Sequence, residues 1–162
     1  MRLRSPTAAM LFALLTASIG ASQKYSGPRP PKPDVPYLMH ADNLIETEAL
    51  QSRQEDRGRD KVAWVPGISS AARTPMAEPI FLMEAQKIVP DKLELYKLDV
   101  KRDRREVVFS KKPGKNDARP LRLSMTSLGE KLYRIEANET LDNGEYALSP
   151  SGSDDVFCFQ VY

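Results

Sequence analysis

Leu121 to Ala137 reads LRLSMTSLGEKLYRIEA. Leu121, Leu123 and Met125 alternate with Arg122, Ser124 and Thr126; beyond Gly129, Tyr133, Ile135 and Ala137 alternate with Arg134 and Glu136. Apolar and polar side chains repeating with a period of two lie on opposite faces of a strand, so the stretch predicts two half-exposed strands and a turn. A helix would space its apolar residues three and four apart, which this stretch does not do.

The pattern continues towards the C-terminus, where Tyr146 and Leu148 and then Phe157, Phe159 and Val161 keep the alternation. Upstream, Glu106 to Ser110 (EVVFS) predicts a strand, and Leu93 to Val100 (LELYKLDV) another. In the latter, Leu93 and Leu95 share one phase and Tyr96, Leu98 and Val100 the other, which predicts a bulge or a strand covered on both sides. Ile80 to Ala85 (IFLMEA) is a short continuous apolar run, as in a strand buried on both faces. Lys61 to Pro66 (KVAWVP) and Tyr37 to Thr47 complete the strand candidates. Glu46 to Lys61 mixes both charge signs with few apolar residues, and its expected form is an exposed loop with at most one helical turn. Turn signals at Pro113-Gly114, Gly129, Asn143-Gly144 and Ser151-Gly152 separate the strands. Short strands at this spacing favour a sandwich or barrel over helix-connected parallel strands, and the expected fold is an all-β, antiparallel β-sandwich of about seven to nine strands over residues 37–162.

Two segments precede that domain. Arg2 and Arg4, the apolar run Ala8 to Ala17 and the small residues Ser18, Gly20, Ala21 and Ser22 are the parts of a secretory signal peptide, assigned to residues 1–22. The run is shorter than the roughly 20 apolar residues that span a bilayer, so a membrane-spanning chain is not expected, and localisation is secreted or periplasmic after cleavage. Residues 23–36 hold Pro28, Pro30, Pro31, Pro33 and Pro36, which predicts an extended, polyproline-like linker that spaces the domain from a surface.

The 162 residues carry 24 Lys and Arg against 22 Asp and Glu. Arg2 and Arg4 leave with the signal, so the mature chain is formally neutral and has no overall field for nucleic acid. Any polyanion site must be local. Lys111, Lys112, Lys115 and Arg119 cluster about one turn, with Arg122 close by in sequence, and form the candidate binding patch for an acidic polysaccharide or a phospholipid headgroup. Trp64 and Tyr96, if they share an exposed face, are the aromatic candidates for carbohydrate binding.

Enzyme chemistry finds few residues to work with. His40 is the single histidine and Cys158 the single cysteine, so the usual zinc ligand sets cannot be assembled and no metal or other cofactor is expected. His40-Ala41-Asp42 carries no nucleophile signature, and neither G-x-S-x-G nor a glycine-rich phosphate loop occurs. Cys158, between Phe157 and Phe159, points away from the face those rings occupy; it is either a buried inert thiol or an exposed one available for intermolecular bonding.

Asp142-Asn143-Gly144-Glu145-Tyr146 is a D-x-G-x-Y pattern, which resembles the turn into the penultimate strand of immunoglobulin-like domains. The resemblance covers residues 130–162 and implies that the Tyr146 hydroxyl ties back to nearby backbone. The family's cysteine two positions on is Leu148 in this chain. With the signal and the proline-rich segment, the chain resembles exported bacterial β-sandwich proteins. That implies a non-enzymatic accessory or interaction module of the cell envelope, with an envelope protein or a polysaccharide as partner.

Overall fold

A computed structural model describes residues 24–111, 114 and 117–162. The signal-peptide segment therefore lies outside the described residues. Among the described residues thirteen strands follow one another: β1 (Tyr37–His40), β2 (Asn43–Glu46), β3 (Glu48–Gln51), β4 (Arg53–Arg57), β5 (Asp60–Pro66), β6 (Arg73–Thr74), β7 (Ile80–Glu84), β8 (Leu93–Val100), β9 (Arg104–Phe109), β10 (Leu123–Gly129), β11 (Leu132–Ala137), β12 (Gly144–Pro150) and β13 (Asp155–Val161). Pairing is antiparallel except where the two-residue β6 runs parallel to β13. Among the described residues, the only helical element is a single 3-10 turn at Pro90–Lys92, and no helix is long and apolar enough to cross a membrane.

The strands make two layers. A five-stranded sheet runs β10-β11-β7-β1-β2, and a larger one runs β3-β13-β12-β8-β9-β5-β4 with β6 beside β13. Between them lies the main core, where Leu38, Phe81, Met83 and Ile135 of the first sheet meet Leu95, Leu148, Phe157 and Phe159 of the second. Phe81 meets Phe159 edge-on at 5.0 Å and Tyr146 stacks on the same ring at 5.6 Å. Each fully buried side chain of this size contributes about 1.5 to 3 kcal/mol, so this interior dominates the drive to fold.

The larger sheet is curled. Its edge strands β3 and β4 are separated in sequence by Ser52 alone, so one bent stretch of chain lines both edges of the sheet. The bend is pinned where the Ser52 N–H donates to the Asp154 carbonyl at 2.8 Å and Gln54 Nε2 donates to Asp154 Oδ1 at 2.7 Å. Curling gives the sheet a second, inner face with its own apolar cluster of Val65, Leu98, Ala147, Val156 and Cys158. The two phases of β8 are thereby explained: Leu93 and Leu95 enter the core between the layers, while Leu98 turns into the curl.

The strand count exceeds the expected seven to nine because three stretches divide differently, the shortest being the two-residue β6. Tyr37 to Glu46 is a hairpin turning at Ala41-Asp42 rather than one strand. The charged stretch 46–61, expected as a loop, is β3, β4 and the start of β5. Its charges are used in pairing, with Arg53, Glu55 and Arg57 on the outward side of β4 opposite Trp64, Val62 and Asp60 of β5.

The proline-rich segment forms no strand, as its composition implies, but it is fastened to the body along the described part. Arg29 and Lys24 pair with Glu130, and Lys32 with Glu46. Pro30 and Pro36 are buried, and Val35 packs on the main core. Asp34 adopts φ +58, and its carboxylate accepts the N–H groups of Gln86, Lys87 and Ile88 at 2.8 to 3.0 Å. It serves as a clasp, not as a free spacer.

Candidate functional site

The inner face of the curl lines a half-open cavity of about 310 Å³. Strand alternation decides what lines it. On β8 the inward side chains are Glu94, Tyr96 and Leu98; on β9, Arg105, Val107 and Phe109; on β5, Ala63 and Val65. β12 adds Ala147 and Ser149, and β13 adds Val156 and Cys158. The walls are apolar, with hydroxyl and amide groups of Ser52, Gln54, Ser149 and Ser153 gathered about the bend and the β12–β13 turn. A concave apolar chamber with a few placed polar groups is the usual form of a small-ligand site.

β8 pairs with β12 from Leu93 to Leu98, but with β9 only at Asp99 and Val100. Beyond that point the two strands separate, and the rings of Tyr96 and Phe109 meet edge-on across the gap at 5.5 Å. The Tyr96 hydroxyl donates to Glu94 Oε2 at 2.8 Å. Burial is the largest cause that raises the Tyr96 pKa, followed by this hydrogen bond, so the phenol stays protonated.

Arg105 is fully buried against the chamber. Its Nη1 donates to Glu48 Oε2 at 3.0 Å and Glu145 Oε2 at 3.4 Å, its Nε to the Gly67 carbonyl at 3.0 Å and its Nη2 to the Pro66 carbonyl at 3.1 Å. Burial works against the charge, but the hydrogen bond to Glu48 and the nearby carboxylates outweigh it and raise the pKa. One guanidinium thus faces two carboxylates, and Glu145 Oε1 is buried without a partner among the described residues.

Cys158 resolves the alternative left open by its flanking rings. The side chain is fully buried on the curl side, and burial pushes its thiol up to about 12. Near neutrality it is a protonated, inert group. His40 lies in the other layer, where Nε2 is 2.8 Å from Thr74 Oγ1, and so does not reach the chamber. Among the described residues no group of three His, Cys, Asp or Glu side chains is arranged to hold a metal ion.

Trp64 and Tyr96 both border the chamber and are half-buried, but they have different neighbours. Trp64 occupies the outward side of β5, with the guanidinium carbons of Arg53 and Arg104 at 5.1 and 4.9 Å from its ring centre, while Tyr96 points into the curl. Around the indole, Arg57 grips the fully buried Glu106 through two contacts of 2.9 Å, and Arg104 joins Glu106 to Glu55. This outward cluster is a closed ring of paired charges. Of the basic patch, Lys111 and Arg119 are exposed, whereas Lys112 and Lys115 lie outside the described residues. The D-x-G-x-Y turn brings the Tyr146 hydroxyl to the Asp142 carbonyl at 2.8 Å, in the penultimate strand.

Sequence reading missed the chamber because its lining comes from six strands whose inward residues are dispersed from Ser52 to Cys158. The one local signal was the second apolar phase of β8. No protein-family model, curated protein or solved structure matches this chain.

Proposed function

We propose that the chain is an exported, non-enzymatic binding module of the cell envelope whose binding element is the chamber inside the curled sheet. The observation that carries this reading is the unfilled volume of about 310 Å³ behind apolar walls, in a layer whose other face is already committed to the main core. Filling such a hollow with a ligand regains dispersion contacts that the protein alone forgoes. The inert state of Cys158 and the distance in the fold of His40 support a binding role over a catalytic one.

Export rests on the reading of residues 1–22, and likeness to immunoglobulin-like modules rests on the Tyr146 tie. The bent β3–β4 stretch that lines both edges of the second layer departs from two open packed sheets. Polysaccharide binding through the basic turn is supported only by the exposure of Lys111 and Arg119. A thermal-shift screen of small apolar and amphipathic compounds tests the main reading. Hits should raise the melting temperature of the natural chain and lose that effect in Ala147→Phe, which fills the chamber; hits that stabilise both proteins equally would place binding elsewhere.

A further inference from the structure

The charges around the chamber limit what it can accept. Among its lining residues only Glu94 and Arg105 carry a charge. Arg105 has nothing to offer an anion: both carboxylates and both backbone carbonyls already occupy its donors. Its single positive charge faces the two negative charges of Glu48 and Glu145, and Glu94 adds another. In a chamber with low-dielectric walls, this surplus of negative charge repels carboxylates and phosphates and attracts cations.

Glu94 is also placed for a particular kind of cation. Its carboxylate accepts from the Tyr96 hydroxyl, and among the described residues it forms no ion pair with Lys or Arg. Tyr96 and Phe109 stand perpendicular beside it, at 84°, so that an electron-rich face and a ring edge meet at one corner of the chamber. Aromatic faces next to a carboxylate are the setting in which alkylated ammonium groups are held. Size points the same way. An apolar cavity of about 150 Å³ takes benzene, and this one is about 310 Å³, which leaves room for one ring with a short charged branch.

Resting on the reading of the chamber as a binding site, we propose that its ligand is a small organic cation: an amine or quaternary ammonium with an apolar ring. The ring lies among Val65, Leu98 and Val107, and the ammonium sits against Glu94 beside Tyr96 and Phe109.

The test is calorimetric titration of the full mature chain with three probes of one shape or nearly so: benzyltrimethylammonium, its uncharged carbon isostere neopentylbenzene, and phenylacetate. The cation is expected to bind at least about tenfold more tightly than the isostere, with phenylacetate weakest. Glu94→Gln, which keeps an acceptor for Tyr96, should remove most of that preference and leave neopentylbenzene unchanged. Ala63→Phe, which projects a ring into the chamber, should weaken both. Equal binding of cation and isostere, or tighter binding of phenylacetate, with Ala63→Phe still blocking it, overturns the cation and leaves the chamber reading standing. Binding that ignores Ala63→Phe, or no binding of any probe to a folded protein, overturns both.

Discussion

Asp34 shows how much a single polar residue holds in this protein. It sits at φ +58, where few side chains are comfortable, and fastens the proline-rich segment to three consecutive N–H groups. Burial pushes its carboxyl up, but the N–H groups of Ile88, Gln86 and Lys87 outweigh that and hold it below its ordinary 3.8. A carboxyl lowered in the folded state adds stability that is present above 3.8 and drains away as pH falls through the folded value. Asp34→Ala is therefore expected to cost about 2 kcal/mol at neutral pH by urea denaturation, and Asp34→Gly, which relieves the backbone only, should not restore it. Arg105→Ala leaves Glu48 and Glu145 facing each other without their cation. Its expected cost is about 3 kcal/mol or more, measured the same way. Cys158 acts at the opposite end of the pH scale. Its thiol is pushed up to about 12 by burial from an ordinary 9.0, so its share of stability is intact below 9.0 and is lost as pH rises towards 12. A thiol reagent should modify it at pH 8 only at the rate of unfolding, and the loss of melting temperature above pH 9 should be smaller in Cys158→Val.

At the scale of elements, legibility followed the alternation of apolar residues. β10 and β11 were readable because one side of each enters the core between the layers while polar residues interleave, and β12 and β13 because Tyr146, Leu148, Phe157, Phe159 and Val161 keep the period of two on the core side. β8 announced its double coverage by its change of phase. β4 gave no such sign, since its outward positions carry Arg53, Glu55 and Arg57 and its inward side Gln54, and in β3 Leu50 alone is a large apolar residue turned to the curl. The partners that turn those charges into a sheet face, Arg104 and Glu106, lie about fifty residues further on. Gly58, at φ +66 in the turn between β4 and β5, was the one local hint of a hairpin. The hydrogen bond to Arg57 is the largest influence holding the Glu106 carboxyl below its ordinary 4.5. Glu106→Ala should destabilise the protein by about 3 kcal/mol because Arg57 and Arg104 lose their buried acceptor. In hydrogen exchange, amides of β4, β5 and β9 should then lose protection together while β7 and β11 keep theirs; unchanged protection would mean that the outward charge ring does not hold this part of the curl.

The whole molecule is two layers with two interiors, one solid and one hollow. The main core uses one face of the larger sheet, and the curl uses the other, so a fold legible as a sandwich carries a chamber that no local pattern reveals. Its walls come together only when Ser52 bends one stretch of chain across both sheet edges, a long-range event with no spacing rule in the sequence. The same distance hid the clasp of the proline-rich segment, whose composition speaks of extension but not of the loop it docks against. The most direct test of the hollow layer as the binding element is a nuclear magnetic resonance titration of the labelled mature protein with benzyltrimethylammonium. Shifts are expected at Glu94, Tyr96, Phe109, Val107, Leu98 and Val65, with Leu38, Phe81 and Met83 unmoved. Shifts centred on the sandwich core or on the basic turn at Lys111 and Arg119, with the chamber residues silent, would contradict it.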